Sequence, residues 1–193
     1  EAICIAFGTA GTGGFGVRND SLASYTPYIQ WVVTVFMALF GVNFGVYYLV
    51  LLRSFRKAFR NEELWMYLGI MLTASAIIFL NILPSMPGRP ADAIRHSCFQ
   101  VASIMTTTGY GTVDFNLWPQ LSRSILVMLM LVGASAGSTG GGIKVSRVLI
   151  LVKCLFREIH RMLHPNTVRQ IHMDGEPVPR EAIRNAYAFL TVY

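Results

Sequence analysis

Three stretches of this chain contain no Asp, Glu, Lys or Arg and are rich in apolar residues. They cover residues 28–52, 64–83 and 124–143. A helix needs about 20 mostly apolar residues to cross the hydrocarbon core of a bilayer. The pattern therefore predicts three membrane-crossing segments, of which the third is interrupted by a run of glycines.

A shorter apolar segment, 92–105, precedes a stretch rich in threonine and glycine, 106–112 (TTTGYGT). At about 14 residues the segment is too short to cross, and a re-entrant helix is the structure expected at that length. Its negative C-terminal end would point toward TTTGYGT and favour a cation there. Because glycine reaches left-handed backbone angles, the stretch can turn carbonyl oxygens toward one axis and replace the water around an ion. The candidate filter residues here are Thr107, Thr108, Gly109, Tyr110 and Gly111.

A second glycine stretch, 8–16 (GTAGTGGFG), lies near the start of the chain. Placing Gly11 opposite Gly109, an offset of 98 positions, aligns TAGTG with TTGYG. The candidate filter residues of this copy are Thr9, Ala10, Gly11, Thr12 and Gly13. The glycines also satisfy the GxGxxG spacing of a dinucleotide-binding turn, but that turn needs a helix directly after it. A polar stretch and a proline follow instead, so the nucleotide interpretation is disfavoured.

Glycines break the second half of the third apolar stretch, and each costs a helix interior about 1 kcal/mol relative to alanine. Non-helical backbone at membrane depth is tolerated where it lines a water-filled path or is buried in protein. We therefore predict a movable gate here; a static kink is the alternative. Gly137 and Gly142 have the spacing of a phosphate-binding loop, but that motif requires Lys and then Ser or Thr directly after the second glycine. The chain has Ile143, Lys144 and Val145 there, so this interpretation fails. The candidate gating residues are Gly133, Gly137, Ser138, Thr139, Gly140, Gly141, Gly142 and Lys144.

Composition supports the membrane class. The chain is 53% hydrophobic and 13% charged, whereas soluble domains average about 25% charged residues. Of 16 Lys and Arg, four lie in 53–60 and eight from Lys144 onward, which places these segments on the cytoplasmic side. No basic groove with interleaved aromatics is present, so nucleic acid is not an expected partner. Three scattered cysteines indicate neither a zinc site nor a disulfide framework.

Three strings resemble the Trk/Ktr/HKT superfamily of potassium uptake proteins, most closely its TrkH branch. They are TAGTGGF at 9–15, TTTGYGTVDF at 106–115 and, most specific, AGSTGGGIKVSRVLILVK at 136–153. The resemblance implies an all-α membrane protein built from repeated units, each a membrane helix, a re-entrant pore helix, a filter strand and a second membrane helix. Four such units would surround a pseudo-fourfold cation pore. The chain would be a fragment spanning the second filter to the start of the fourth repeat.

The layout implied by the resemblance has four parts. It consists of the end of the second repeat, 1–60 (filter 8–16, membrane helix 27–53); the third repeat, 61–164 (membrane helix 63–83, pore helix 92–105, filter 106–112, broken membrane helix 120–153); a cytoplasmic hairpin or linker, 165–181; and the start of the fourth repeat, 182–193.

The resemblance further implies potassium uptake across the plasma membrane, with a multi-pass location in the bacterial inner membrane. K⁺ would be the transported ion, with no covalently bound cofactor and no enzymatic activity. The implied partners are membrane lipid, a second copy in a homodimer and a cytosolic nucleotide-binding regulatory subunit of the Trk/Ktr type. The alternative is a secondary transporter with discontinuous helices that carries sodium or a small solute.

Overall fold

The structure is a computed structural model and describes residues 1–164 and 170–192. These residues form helices and one small two-stranded antiparallel sheet, in which His172 pairs with Pro177. In chain order the elements are α1 (Ala2–Ala10), α2 (Pro27–Phe40), α3 (Phe44–Leu51), α4 (Phe55–Phe59), α5 (Glu62–Ile82), α6 (Pro90–Met105), α7 (Gln120–Val132), α8 (Val145–Leu163), β1 (His172–Met173), β2 (Glu176–Pro177) and α9 (Arg180–Val192).

Helix α5 is the longest helix and agrees with the predicted span 63–83. Its N-terminus is capped by Asn61, whose side-chain oxygen accepts a hydrogen bond from the amide of Leu64 at 2.8 Å. Two acidic residues follow in the first turn, where they oppose the positive end of the helix dipole. Together with a short 3-10 turn it extends over Glu62–Ser85, the one unbroken helix of the described residues that is long and apolar enough to cross a membrane.

The predicted single helix over 27–53 is wrong, because the structure breaks it into α2 and α3. The two helices meet at an angle of 88°. Gly41 ends α2, and Asn43 begins α3 by accepting a hydrogen bond from the Gly45 amide at 2.8 Å. Asparagine is favoured at helix starts because its side chain satisfies an otherwise free amide. The lack of charged residues correctly indicates an apolar segment. It does not indicate that Asn43 starts a new helix within that segment.

Helix α6 is the central element of the described fold. It packs against α5 on one side and α2 on the other, and its last two turns are buried nearly completely, including Phe99, Val101 and Met105. The helix starts at Pro90, two residues before the predicted start, because proline is suited to the first position of a helix. With 16 residues, α6 falls short of the roughly 20 residues needed to cross a bilayer, as expected for the predicted re-entrant segment.

Large apolar side chains cover the outer surfaces of α2, α5 and α7. An uncovered apolar surface of this extent is unfavourable in water and is suited to contact with lipid tails. Exposed examples are Val35, Phe36 and Leu39 on α2, Leu72 and Leu80 on α5, and Val127, Met128 and Leu131 on α7.

The predicted hairpin is present as β1 and β2, and it is attached to the start of α5. The Asp174 carboxylate accepts hydrogen bonds from the Glu62 amide at 2.7 Å and from the Asn61 side chain at 2.9 Å. The ammonium group of Lys153 on α8 bonds to the Glu62 carboxylate and to the main-chain oxygen of His172. Residues 165–169 of the predicted linker and Tyr193 lie outside the described residues.

Candidate functional site

The loop after α6 has the unusual backbone that its sequence predicts. Thr107 and Gly109 have φ angles of 57° and 88°, in the left-handed region that favours glycine. A side chain at position 109 would meet no atom within 4 Å, so Gly109 faces open space. The five candidate residues from Thr107 to Gly111 form one continuous loop.

The loop after α1 repeats the same hydrogen-bond register, but at an offset of 95 positions. The amide of Gly13 donates to the oxygen of Gly8 at 2.8 Å, and the amide of Thr108 donates to the oxygen of Ser103 at 2.9 Å. Each bond joins the loop to the last turns of the short helix before it. The two loops are therefore equivalent structures, with a register three residues away from the one expected from sequence.

The expected equivalence of Gly11 with Gly109 is wrong. The counterpart of Gly109 is Gly14, which follows the equivalent amide and also has a positive φ, 68°. Thr9 and Ala10 lie within helix α1, and the Thr9 hydroxyl donates to the oxygen four residues earlier. The candidate filter stretch expected to start at residue 8 therefore begins only after Ala10, and the oxygen of Thr9 is already bonded by the Thr12 amide at 3.3 Å.

A sequence signal for the correct register does exist. Each loop contains glycine, an aromatic residue and glycine in succession, at Gly14–Gly16 and at Gly109–Gly111. These two triplets are 95 positions apart. Aligning the aromatic residues rather than the first glycine after a threonine recovers the register of the structure.

The two loops contact each other directly. The Tyr110 hydroxyl donates to the main-chain oxygen of Phe15 at 3.1 Å. A Cβ atom at Gly14 would overlap the main-chain oxygen of Thr108, so only glycine permits this close approach. The prediction that separate glycine stretches come together therefore agrees with the structure.

Consecutive main-chain oxygens in both loops lack a protein partner. In each loop, three consecutive main-chain oxygens accept no hydrogen bond from residues 1–164 and 170–192. The oxygen that follows them does accept one, at Phe15 in the first loop and at Tyr110 in the second. Most of the residues that carry the unpaired oxygens are exposed or only partly buried, so these oxygens are free to bind water or an ion. The unpaired oxygens belong to Thr12, Gly13 and Gly14, and to Thr107, Thr108 and Gly109.

The predicted interruption of the third apolar stretch is present between α7 and α8. We call residues 133–144 the glycine-rich loop. The Lys144 ammonium donates to the oxygen of Gly140, and the Ser138 hydroxyl donates to the oxygen of Ser135 at 2.6 Å, so the loop is folded on itself. Positive φ angles occur at Gly133, Gly137, Gly142 and Lys144.

The glycine-rich loop touches both candidate filter loops. The Thr12 hydroxyl donates to the main-chain oxygen of Thr139 at 3.0 Å. The amide of Gly141 donates to the Thr107 hydroxyl at 2.6 Å. These two contacts bring the candidate gating residues and both filter copies into one site.

The same loop also rests on the break between α2 and α3. The amide of Ser135 donates to the oxygen of Gly41 at 3.1 Å, and the amide of Phe44 donates to the oxygen of Gly137 at 3.0 Å. Each of the two helix interruptions, one between α2 and α3 and one between α7 and α8, therefore bonds main-chain groups that are left without helical partners in the other. Without such partners, non-helical backbone at membrane depth is costly.

Sequence reasoning missed Glu63, which lies at the centre of this junction. Its side chain is only 2% exposed, and its carboxylate accepts hydrogen bonds from Asn43, Ala136 and Ser146. A carboxylate at the start of a helix is ordinarily read as a dipole partner on the surface. No spacing pattern distinguishes Glu63 from the neighbouring Glu62, because the donors come from distant parts of the chain.

The family described as TrkH, cation transport protein, matches residues 1–193. The Trk system potassium uptake protein TrkH of Salmonella typhimurium is 32% identical over 200 residues, covering 100% of this chain and 41% of that protein. The Escherichia coli K12 protein of the same name is 31% identical with the same coverage. The chain thus spans about two fifths of the length of these relatives.

The fold gives the same result. The crystal structure of the potassium transporter TrkH from Vibrio parahaemolyticus superposes with a TM-score of 0.87 at 29% sequence identity, covering 96% of this chain and 41% of that one. This agreement establishes an all-α membrane-protein fold. The family match along the whole chain, the shared fold and the paired loops agree, and the chain belongs to the TrkH family of cation transport proteins.

Proposed function

We propose that this chain forms part of a pore for potassium uptake, in which main-chain oxygens of two loops replace the water around the ion. The observation that carries the proposal is the set of three consecutive unpaired oxygens in each loop, beginning at Thr12 and at Thr107. A row of carbonyl oxygens is how a filter coordinates a dehydrated monovalent cation. Two loops surround only part of an axis, so two further copies from the complete transporter would close a pseudo-fourfold ring.

We further propose that the glycine-rich loop gates this path. It lies against both filter loops through Thr12 and Thr107, so an ion leaving the filter meets it. The bonds of the glycine-rich loop to Thr12, Gly41 and Thr107 go to different parts of the fold, and a second arrangement of similar energy can replace them. Shortening the loop is expected to raise potassium flux, and unchanged flux in the shortened protein contradicts the gate.

The names of the relatives and the charge distribution support the remaining assignments. We propose a multi-pass location in the bacterial inner membrane, with the basic segments from Lys144 onward facing the cytoplasm. On that side a cytosolic nucleotide-binding regulatory subunit would dock near α8 and the hairpin. A second copy of the transporter would complete a homodimer within the lipid.

The filter assignment is tested by exchanging Gly109 for serine in the complete transporter. The expected result is a loss of selectivity for potassium over sodium, because a side chain would enter the open space in front of the loop. Gly88→Ser is a matched control: Gly88 also has a positive φ, 79°, and a side chain there also meets nothing within 4 Å. Both variants carry the same backbone strain, and only Gly109 lies in the filter.

The measurement is uptake of potassium and of sodium into vesicles at equal amounts of folded protein. Selectivity is expected to fall in Gly109→Ser and to stay unchanged in Gly88→Ser. Equal selectivity in these two variants removes the filter assignment.

A secondary transporter with discontinuous helices is the second candidate, and the break between α2 and α3 favours it. Such transporters bind their substrate where interrupted helices meet, and this protein has two of them in contact. The two functions differ in driving force. Flux through a filter follows the potassium gradient and voltage alone, whereas coupled transport also responds to an imposed sodium or proton gradient.

A further inference from the structure

Glu63 is an acidic side chain buried where three elements meet. One oxygen accepts hydrogen bonds from the amides of Ala136 at 2.6 Å and Ser146 at 3.2 Å. The other accepts from the side-chain amide of Asn43 at 3.2 Å. The three donors belong to the glycine-rich loop, the first turn of α8 and the break between α2 and α3.

The neighbouring acid has a different environment. Glu62 is substantially exposed, with 41% of its side chain accessible, and it pairs with Lys153. Of these two acids only Glu63 contacts the glycine-rich loop, and through Asn43 it links that loop to the break between α2 and α3, beside the direct main-chain bonds of Gly41 and Phe44. A buried carboxylate is costly unless hydrogen bonds compensate it, and here the three donors come from the glycine-rich loop and from the two elements next to it.

The side chain at position 63 faces only hydrogen-bond donors, so both of its polar atoms must be acceptors. The Asn43 oxygen is already used, because it accepts from the Gly45 amide at 2.8 Å, so its amide nitrogen must face Glu63. An ionised carboxylate has two acceptor oxygens, whereas a glutamine amide has one acceptor and one donor. A glutamine at position 63 that keeps its bonds to the loop would therefore place two donors face to face.

We propose that Glu63 is the positioning residue that holds the glycine-rich loop against the break between α2 and α3, so that losing its bonds releases the loop. The expected effect of Glu63 on potassium flux rests on the proposed gate. The expected effect of Glu63 on the mobility of the glycine-rich loop does not require that the loop is a gate. The two consequences can therefore be measured separately.

The loop is followed by hydrogen-deuterium exchange in the complete transporter. Glu63→Gln is expected to speed exchange in peptides covering residues 133–146 by about tenfold, because a lost hydrogen bond to a charged group changes an opening equilibrium by about that factor. Peptides from the outward half of α5 are expected to exchange as before. Glu62→Gln is the matched control, since it removes an equal charge one residue away without contacting the loop.

The decisive variant exchanges the two partners. Asn43→Asp combined with Glu63→Gln reverses the donor and the acceptor between these side chains, while the new aspartate still accepts from Gly45 and the new glutamine oxygen still accepts from the loop. Exchange in 133–146 is expected to return close to the wild-type rate. Asn43→Asp alone brings two carboxylates together and is expected to speed exchange more than Glu63→Gln does.

Loop exchange at the wild-type rate in folded Glu63→Gln overturns the proposal, as does a double variant that exchanges no more slowly than the single one. Should Glu63→Gln not fold, Asn43→Ser provides a second test, because serine keeps a side-chain acceptor for the Gly45 amide and removes the amide donor to Glu63; exchange unchanged there also overturns the proposal. Potassium flux is measured in parallel. Faster loop exchange with unchanged flux supports the position of Glu63 and counts against the gate.

Discussion

The two candidate filter loops each bond the main-chain oxygen of an aromatic residue, but with different donors. In the loop after α6, the main-chain oxygen of Tyr110 is bonded by the hydroxyl of Ser103 on its own helix, at 2.6 Å. The residue equivalent to Ser103 is Gly8, which has no hydroxyl. There the hydroxyl of Tyr110 enters from the neighbouring loop and bonds to Phe15, the counterpart of Tyr110 itself.

This difference shows that the loops are not independent copies. A Cβ atom at Gly8 would overlap the Tyr110 hydroxyl, so the missing serine is what makes room for the tyrosine. One loop is braced from within, and the other is braced by its neighbour. Loss of the Tyr110 hydroxyl, which joins the two loops, therefore affects both of them. Loss of the Ser103 hydroxyl affects only the loop after α6.

The largest effect is expected where the loops touch. Gly14→Ala would place a methyl group into the Thr108 carbonyl at a positive φ, and the combined overlap and strain cost about 3 kcal/mol or more. Thermal unfolding in detergent should shift to lower temperature and potassium uptake should be lost. Gly16→Ala is the control, because a Cβ atom there meets nothing closer than 4.0 Å. Equal stability of the two variants contradicts the close approach.

The next effect tests the exchange of serine for tyrosine directly. Gly8→Ser alone is expected to destabilise the protein by about 1 to 3 kcal/mol, because the added atoms overlap the Tyr110 hydroxyl. Combining it with Tyr110→Phe removes that hydroxyl and lets the new serine brace its own loop. Stability in thermal unfolding should then recover most of the loss. If the double variant is less stable than Gly8→Ser alone, the equivalence of Gly8 and Ser103 is wrong.

Smaller effects are expected from removing either brace singly. Ser103→Ala and Tyr110→Phe each delete one hydrogen bond, worth about 1 kcal/mol. Selectivity between potassium and sodium in vesicle uptake should fall more for Tyr110→Phe, since its hydroxyl joins both loops. A larger loss for Ser103→Ala would contradict the asymmetry.

The smallest effect concerns the contacts of the filter loops with the glycine-rich loop. Thr107→Val keeps the branched shape and removes the hydroxyl that accepts from Gly141. The expected cost is at most about 1 kcal/mol, with a modest rise in potassium flux if the loop is the gate. Thr107→Ser retains the hydroxyl and should behave as the wild type.

Much of the fold follows from the sequence by length and charge. The span 63–83 and the interruption of 120–153 could be predicted because apolar length and repeated glycine act locally. The break at Gly41 to Asn43 could not, since one capping asparagine within 25 apolar residues looks like a tolerated polar side chain. Its role depends on the distant loop that bonds to it.

The presence of two irregular glycine-containing loops was predictable from the sequence, but the alignment of one loop with the other was not. The loop from Thr107 to Gly111 was found because threonine and glycine alternate after a short helix. For the first copy, the choice of Gly11 over Gly14 depended on where α1 ends, and helix ends are set by hydrogen bonds that a short glycine pattern does not specify. Glu63 escaped detection because burial is decided by tertiary contacts.

The first turn of α5 joins two regions that are far apart along the chain. Its outer side is bound by Asp174 of the hairpin through the Glu62 amide, and the very next residue, Glu63, holds the glycine-rich loop. The hairpin and the glycine-rich loop are therefore hydrogen-bonded to consecutive residues of one helical turn. A displacement of the hairpin would reach the glycine-rich loop through this turn alone, without passing through a second helix.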